Sequence, residues 1–176
     1  MPAPVSIAST HVHAMRLKSG AEALVARVVT TDGVAGYGFS LGPEATPARD
    51  MAQWDALGRS RHLPLYALFG RKMRERVAVA SGKPEGLQVN PFEFLSLEDV
   101  RSKLVSQAAV CLMTPHQHSW ELSYCVALAA SLSGNVVLAG ENASAAQLGV
   151  SEAPGIGIDW SIEPGFAAIR WYTPGR

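Results

Sequence analysis

The sequence predicts an α+β cap joined to an α/β region. Residues 1–75 read as an antiparallel three-stranded meander plus a short helix, residues 76–153 as about four βα units, and residues 154–176 as a C-terminal segment. Three observations carry this reading. Apolar residues alternate in short runs on either side of Asp32-Gly33, the strongest short-range hairpin signal a sequence offers. From Arg76 onward the pattern changes to short apolar runs alternating with helix-spaced segments, the order of βα units. The Gly- and Pro-rich stretch Gly42 to Pro47 and the pair Thr114-Pro115 fall between these runs, where turns belong.

Taken in order, Val5 to Met15 alternates as a strand, Ala23 to Thr30 is a valine-rich second strand, and Val34 to Phe39 is a third. Ala48 to Leu57 follows as a short helix, with Met51 and Trp54 as its main apolar anchors, Ala48 and Leu57 as weaker ones, and Gly58 as its stop. Val77 to Ala80 and Gly86 to Asn90 are short strands. Ser96 to Ala109 is a helix opened by a capping box of Ser96 and Asp99, with Leu97, Val100, Leu104, Val105 and Ala108 on one face. Val110 to Met113 is a third strand of this region, Ser119 to Leu132 a second helix with Leu122, Cys125, Val126 and Ala129 in one stripe, and Asn135 to Ala139 a fourth strand.

Composition excludes several function classes. Fifteen Lys and Arg balance 15 Asp and Glu, and no basic stripe forms, so the electrostatic footprint of a nucleic-acid binder is missing. No apolar run approaches the roughly 20 residues of a membrane span, and the N-terminus shows no secretory pattern, so the expected location is cytoplasmic. Cys111 and Cys125 lie on apolar segments without CxxC spacing and read as buried, reduced thiols. The glycines of APGIGIDW lack the strand-turn-helix order of a dinucleotide fingerprint, and no P-loop or nucleophile elbow occurs.

Gln53 to Gly82, QWDALGRSRHLPLYALFGRKMRERVAVASG, is the most distinctive stretch. It resembles the junction in the mandelate racemase and muconate lactonizing branch of the enolase superfamily: A-x-W-D-L-x-G-K, then P-L-Y-x-L-L-G-G, then a strand ending in A-S-G. The TDG turn and G-Y-G-F segment resemble that family's capping domain, T-D-D-G-x-x-G-x-G-E, with Phe39 where the family usually has Glu. The loop from Arg16 to Gly20 is shorter than the family's flexible loop. LQVNPFEFLSLEDVRSKLVSQAAVCLMTPHQ resembles the sixth barrel strand, sixth helix and seventh strand, and VVLAGEN the eighth strand. APGIGIDWSIEPG resembles the closing P-G-x-G-x-x-x-D segment that returns to the cap, and Trp54 and Asp55 read as packing at the cap junction.

The resemblance implies a strongly shortened member. A complete (β/α)8 barrel takes about 250 residues, and here strands two to five are missing as one arc between the matches to strands one and six. The remaining strands, six, seven, eight and one, are neighbours in a closed barrel and can still pair as a partial one. Members of the family use Mg²⁺, held by acids on strands three to five, to stabilise an enolate, and a Lys-x-Lys on strand two supplies one base. This sequence has no counterpart of those strands, so no cofactor is expected.

Some of the other half of the site persists in the resemblance. His116 matches the family's catalytic His, and Asn90 stands where its Asp partner would be, so the imidazolium would lack a carboxylate to stabilise it. Glu141 matches a strand-eight acid that in some members contacts substrate. Lys83, without a family match, would lie at the same C-terminal rim. The pairs His11/His13 and His116/His118, the latter near Glu121, have metal-ligand spacing, but neither has an obvious third ligand in sequence.

The expected function is that of a degenerate homologue acting as a binding or structural protein, with a small carboxylate as candidate ligand. The alternative is a residual racemase, epimerase or dehydratase acting on a hydroxy acid or sugar acid, with His116 as acid/base. A four-stranded arc leaves two unpaired edges, so a homodimer or higher oligomer is expected, or edges capped by the termini.

Overall fold

The computed structural model of the chain describes residues 6–18, 20–80, 86–115, 118–139, 147–160 and 164–171. Strands β1 (Ile7–Arg16), β2 (Glu22–Thr30) and β3 (Ala35–Ser40) form an antiparallel sheet in that order. The β2–β3 turn is set by Gly33, whose φ of +88° suits glycine, and by Thr30, whose amide donates to the Val34 carbonyl at 2.9 Å.

Helix α1 (Thr46–Arg61) lies against this sheet through small residues. Ala48, Ala52 and Ala56, one turn apart, are fully buried with Ala26 and Val28 of β2. Gly36 and Gly38 pair with Val28 and Ala26 on the same row and let the helix backbone come close: a Cβ on Gly36 would sit 2.3 Å from the Ala56 amide nitrogen. Alternation then turns Tyr37 and Phe39 to the opposite face.

The helix does not stop at Gly58 as the sequence suggests; it runs on to His62, which closes it with φ 57°. Gly58 serves a close approach instead, since a Cβ there would lie 2.7 Å from the Cα of Gly155.

The second sheet is built from β4 (Arg76–Ala80), β5 (Leu87–Val89), β6 (Ala109–Met113), β7 (Asn135–Ala139) and β8 (Gln147–Gly149), with α2 (Leu97–Leu104) between β5 and β6 and α3 (Ser119–Ala129) between β6 and β7. Its order is β5-β6-β7-β4-β8; the first four are parallel and β8 is antiparallel to β4. A short helix α4 (Pro164–Ala167) follows in the closing segment. The architecture is therefore α+β, an antiparallel three-stranded sheet plus a mixed five-stranded one, and the five strands form an open sheet among the described residues.

Two expectations are corrected here. Helix α2 ends at Leu104, and Val105 and Ala108 are exposed, because the Ala108 carbonyl accepts from the Asn135 amide at 2.8 Å and commits the chain to β6. The outer edge of β4, expected to be open, is paired by β8 through Arg76↔Gly149, Val77↔Leu148 and Ala78↔Gln147.

Rows of the parallel sheet fall on two faces. Val77, Val89, Val110, Leu112, Val136 and Leu138 share one core with Leu97, Val100 and Leu104 of α2 and Trp120, Tyr124 and Leu128 of α3. That core also contains Phe39, Met51, Trp54 and Leu57 of the cap and Ile156, Ile158 and Trp160 of the closing segment. Cys111 and Cys125 are buried free thiols, and burial pushes both upward in pKa. Among the described residues no helix is long and apolar enough to cross a membrane.

Candidate functional site at the end of the parallel strands

Parallel pairing brings the ends of β4, β6 and β7 to one edge of the sheet. Ala80 pairs with Ala139, which pairs with Met113. The Thr114 hydroxyl donates to the Ala139 carbonyl at 3.0 Å, tying two of these ends together. Lys83, His116 and Glu141 lie in the segments that leave these three ends and fall outside the described residues. Asn90, at the end of β5, is described: its Oδ1 accepts from the Phe92 amide at 3.0 Å and caps the 3-10 turn Pro91–Glu93.

Just beyond β6, His118 and Glu121 form a reciprocal capping box at the start of α3. The His118 amide donates to Glu121 Oε2 at 2.7 Å, and His118 Nδ1 lies 3.0 Å from the same oxygen, with both side chains buried. Of the expected His116/His118 pair, His118 thus starts a helix together with Glu121, and His116 lies outside the described residues. On β1, His13 packs edge-on to Trp171 at 4.9 Å. Among the described residues no three His, Cys, Asp or Glu side chains cluster as a metal site.

Between the cap and this rim lies an aromatic stack. Phe39 is sandwiched between Trp120 at 4.2 Å and Trp160 at 4.6 Å, with ring planes within 9° and 19° of parallel. Phe92, two residues past Asn90, meets Trp120 edge-on at 5.2 Å and Tyr124 at 5.5 Å, and His118 stacks on Trp120 at 5.8 Å. The stack thus joins β3, the segment after β5, the start of α3 and the closing segment. Phe39 ends the third expected strand and departs from the Glu of the resemblance, but its aromatic partners are too distant in sequence to signal the contact.

Asp55 anchors the junction. Its carboxylate, almost fully buried, accepts from the Tyr37 amide at 3.0 Å, Arg59 Nε at 2.9 Å and the Ile156 amide at 2.9 Å. Burial pushes its carboxyl up, against the opposing pull of Arg59 and the two amides. Gly155, with φ +76°, fits only as glycine, since a Cβ there would lie 2.2 Å from Asp55 Oδ1. The Gly155 amide donates to the Leu63 carbonyl and its carbonyl accepts from the Leu65 amide, both at 2.9 Å. The W-D pair of the junction therefore ties cap, linker and closing segment together.

Asp50, also on α1, accepts from the Leu97 amide at 2.7 Å, bridging α1 to the first turn of α2. Burial raises its pKa to about 6, the Leu97 amide opposing and Glu98 and Asp99 adding to the rise.

No family model matches the chain, and no curated protein matches it. Among solved structures, it is similar to a racemase from Streptomyces coelicolor A3(2) with bound magnesium, at TM-score 0.38 and 17% identity over 75% of this chain and 54% of that one. A muconate lactonizing enzyme from Klebsiella pneumoniae gives TM-score 0.38 and 13% identity over 78% and 51%, and a mandelate racemase/muconate lactonizing enzyme from Bordetella bronchiseptica RB50 gives 0.36 and 15% over 77% and 51%. The chain spans about half the length of these structures. At these scores the similarity bears on neither activity nor ligand.

Proposed function

We propose that this chain is a degenerate, mandelate racemase-like protein that does not carry out metal-assisted proton abstraction and acts as a binding or structural oligomer. The observation that carries the reading is the stack of Trp120, Phe39 and Trp160, each buried, where the cap meets the ends of the parallel strands. A substrate held between cap and rim would have to displace rings that are part of the core.

The donors described at the rim do not suit Mg²⁺, a hard cation that takes oxygen ligands in near-octahedral geometry. Asn90 and Thr114 offer only neutral oxygens, each already in one hydrogen bond, and the carboxylate of Glu121 accepts from the His118 amide at the start of α3. By the sequence resemblance, strand two would pair with β4 on the edge that β8 occupies. That edge would carry the lysine base.

Self-association is supported at the opposite edge: β5 pairs only with β6 among the described residues, and Leu87 on it is exposed, as are Leu95 and Val105 nearby in the chain. A short unpaired edge with exposed apolar side chains invites a second copy. Light scattering across a concentration series checks this, with dimer or larger expected and a concentration-independent monomer against it.

A second reading is favoured by one observation, the in-register ends of β4, β6 and β7, which lead into the segments carrying Lys83, His116 and Glu141. In it, His116 moves a proton on a hydroxy acid or sugar acid. Metal analysis with an activity screen on acid sugars, and a His116→Ala control, separates the two. The first reading expects no turnover above the control; turnover lost in His116→Ala supports the second.

A further inference from the structure

Among the described residues of the second sheet, α2 follows β5 and α3 follows β6, while over β8 the helix-covered face is met by residues 151–157 of the segment after it. A cavity of about 290 Å³ remains there, between α3, β8 and residues 151–157. Leu148 lies on this face, since it pairs with the core residue Val77. The floor is apolar: Val126 is 6% exposed and Ile156 2%, with Leu122 and Leu148 beside them. Ser119, Ser123 and Ser151 also line the cavity, and Ser119 and Ser151 are exposed. Ser151 Oγ accepts from the Ala153 amide at 3.1 Å, which leaves its own proton to donate outward. Among the described residues no charged side chain lines the cavity.

We propose that this cavity is a binding site for a small uncharged molecule with an apolar body and a hydroxyl or carbonyl group at one end. An apolar cavity of about 150 Å³ accepts benzene, so this one accommodates a ligand of roughly ten non-hydrogen atoms. Apolar walls with a few placed polar groups are the usual composition of such sites. A carboxylate is disfavoured because it would enter without a cationic partner. The site lies on the helix-covered face of the sheet and does not depend on what the rim does.

The test is a methyl NMR titration of the whole chain with p-cresol, toluene and p-toluate. The expected result is saturable p-cresol shifts at the methyls of Leu122, Val126, Leu148 and Ile156, with a Kd at or below about 1 mM. Toluene should bind several-fold more weakly, and p-toluate about tenfold more weakly or not at all. Ala127→Phe fills the half-buried wall and should weaken p-cresol at least about tenfold while the remaining methyl spectrum is retained. Should that variant not fold, Ser123→Leu, which narrows the cavity and removes a hydroxyl, reads the same loss. No saturable p-cresol shift, equal affinity for p-toluate, or unchanged affinity in the folded variant overturns the proposal.

Discussion

Replacing Phe39 by alanine removes a ring that is 1% exposed and stacked on both faces by indoles. A buried Phe covers about 150–250 Å², which at about 25 cal/mol per Å² corresponds to roughly 4–6 kcal/mol of transfer free energy. Measured Phe→Ala losses in cores run about 3–5 kcal/mol, and the lower end applies where the site can collapse. Trp120 and Trp160 are held by different elements, so collapse is restricted and a loss of about 4 kcal/mol is expected. For a chain of this size that is a fall in Tm of about 8–16 °C. Phe39→Leu should lose less than half as much. The assay is urea unfolding followed by tryptophan fluorescence and far-UV circular dichroism, because the cap ring touches indoles of the other segments. Both probes should report one coincident transition shifted to lower urea. A loss below about 1 kcal/mol would rule out a core role for the ring. Two separate transitions with only the cap destabilised would rule out a core shared by cap and sheet.

Two further predictions follow from the junction. Asp50 has its folded pKa raised from 3.8 to about 6, so between about pH 4 and 6 the folded protein holds a proton that the unfolded chain has released. Stability should therefore fall as pH rises through this window, by at most about 3 kcal/mol and less where solvent screens the partly buried group. Asp50→Asn keeps an acceptor for the Leu97 amide and should flatten that part of a urea-midpoint profile; an unchanged profile would assign the dependence elsewhere. Gly155→Ala places a Cβ 2.2 Å from Asp55 Oδ1 at a φ of +76°, and should cost at least about 2 kcal/mol in the same assay. A neutral result there would mean that the closing segment does not dock on Asp55.

Much of the fold was legible because its signals are local. Period-two alternation around Asp32-Gly33 gave the cap sheet, and Ser96 capping Asp99 placed the start of α2. What was not legible depends on residues distant in sequence. Ala52 and Ala56 carry little hydrophobic signal, and they matter because Gly36 and Gly38 leave room for the helix backbone. Gly58 looked like a helix stop, yet its reason is Gly155, which no local pattern connects to it. Strand β8 is three residues with one apolar side chain, too short for periodicity, and its pairing with β4 is what makes it a strand.

The rim was less legible than the fold. The order β5-β6-β7-β4 is the one the resemblance implied for strands six, seven, eight and one. Asn90 precedes a proline, and its Oδ1 accepts from the amide two residues on, a signal present in the sequence as Asn-Pro. His118 and Glu121 likewise carry capping-box spacing. The packing of Phe39 against Trp120 and Trp160 could be found only in three dimensions.

Exchange of the α-proton of hydroxy acids and sugar acids tests whether the cap–rim space is core or a site for enolate chemistry. Incubated with the protein in D2O, with and without added Mg²⁺, these acids should show by proton NMR no deuterium incorporation above a protein-free blank. Exchange that depends on the protein and is lost in His116→Ala would contradict the account.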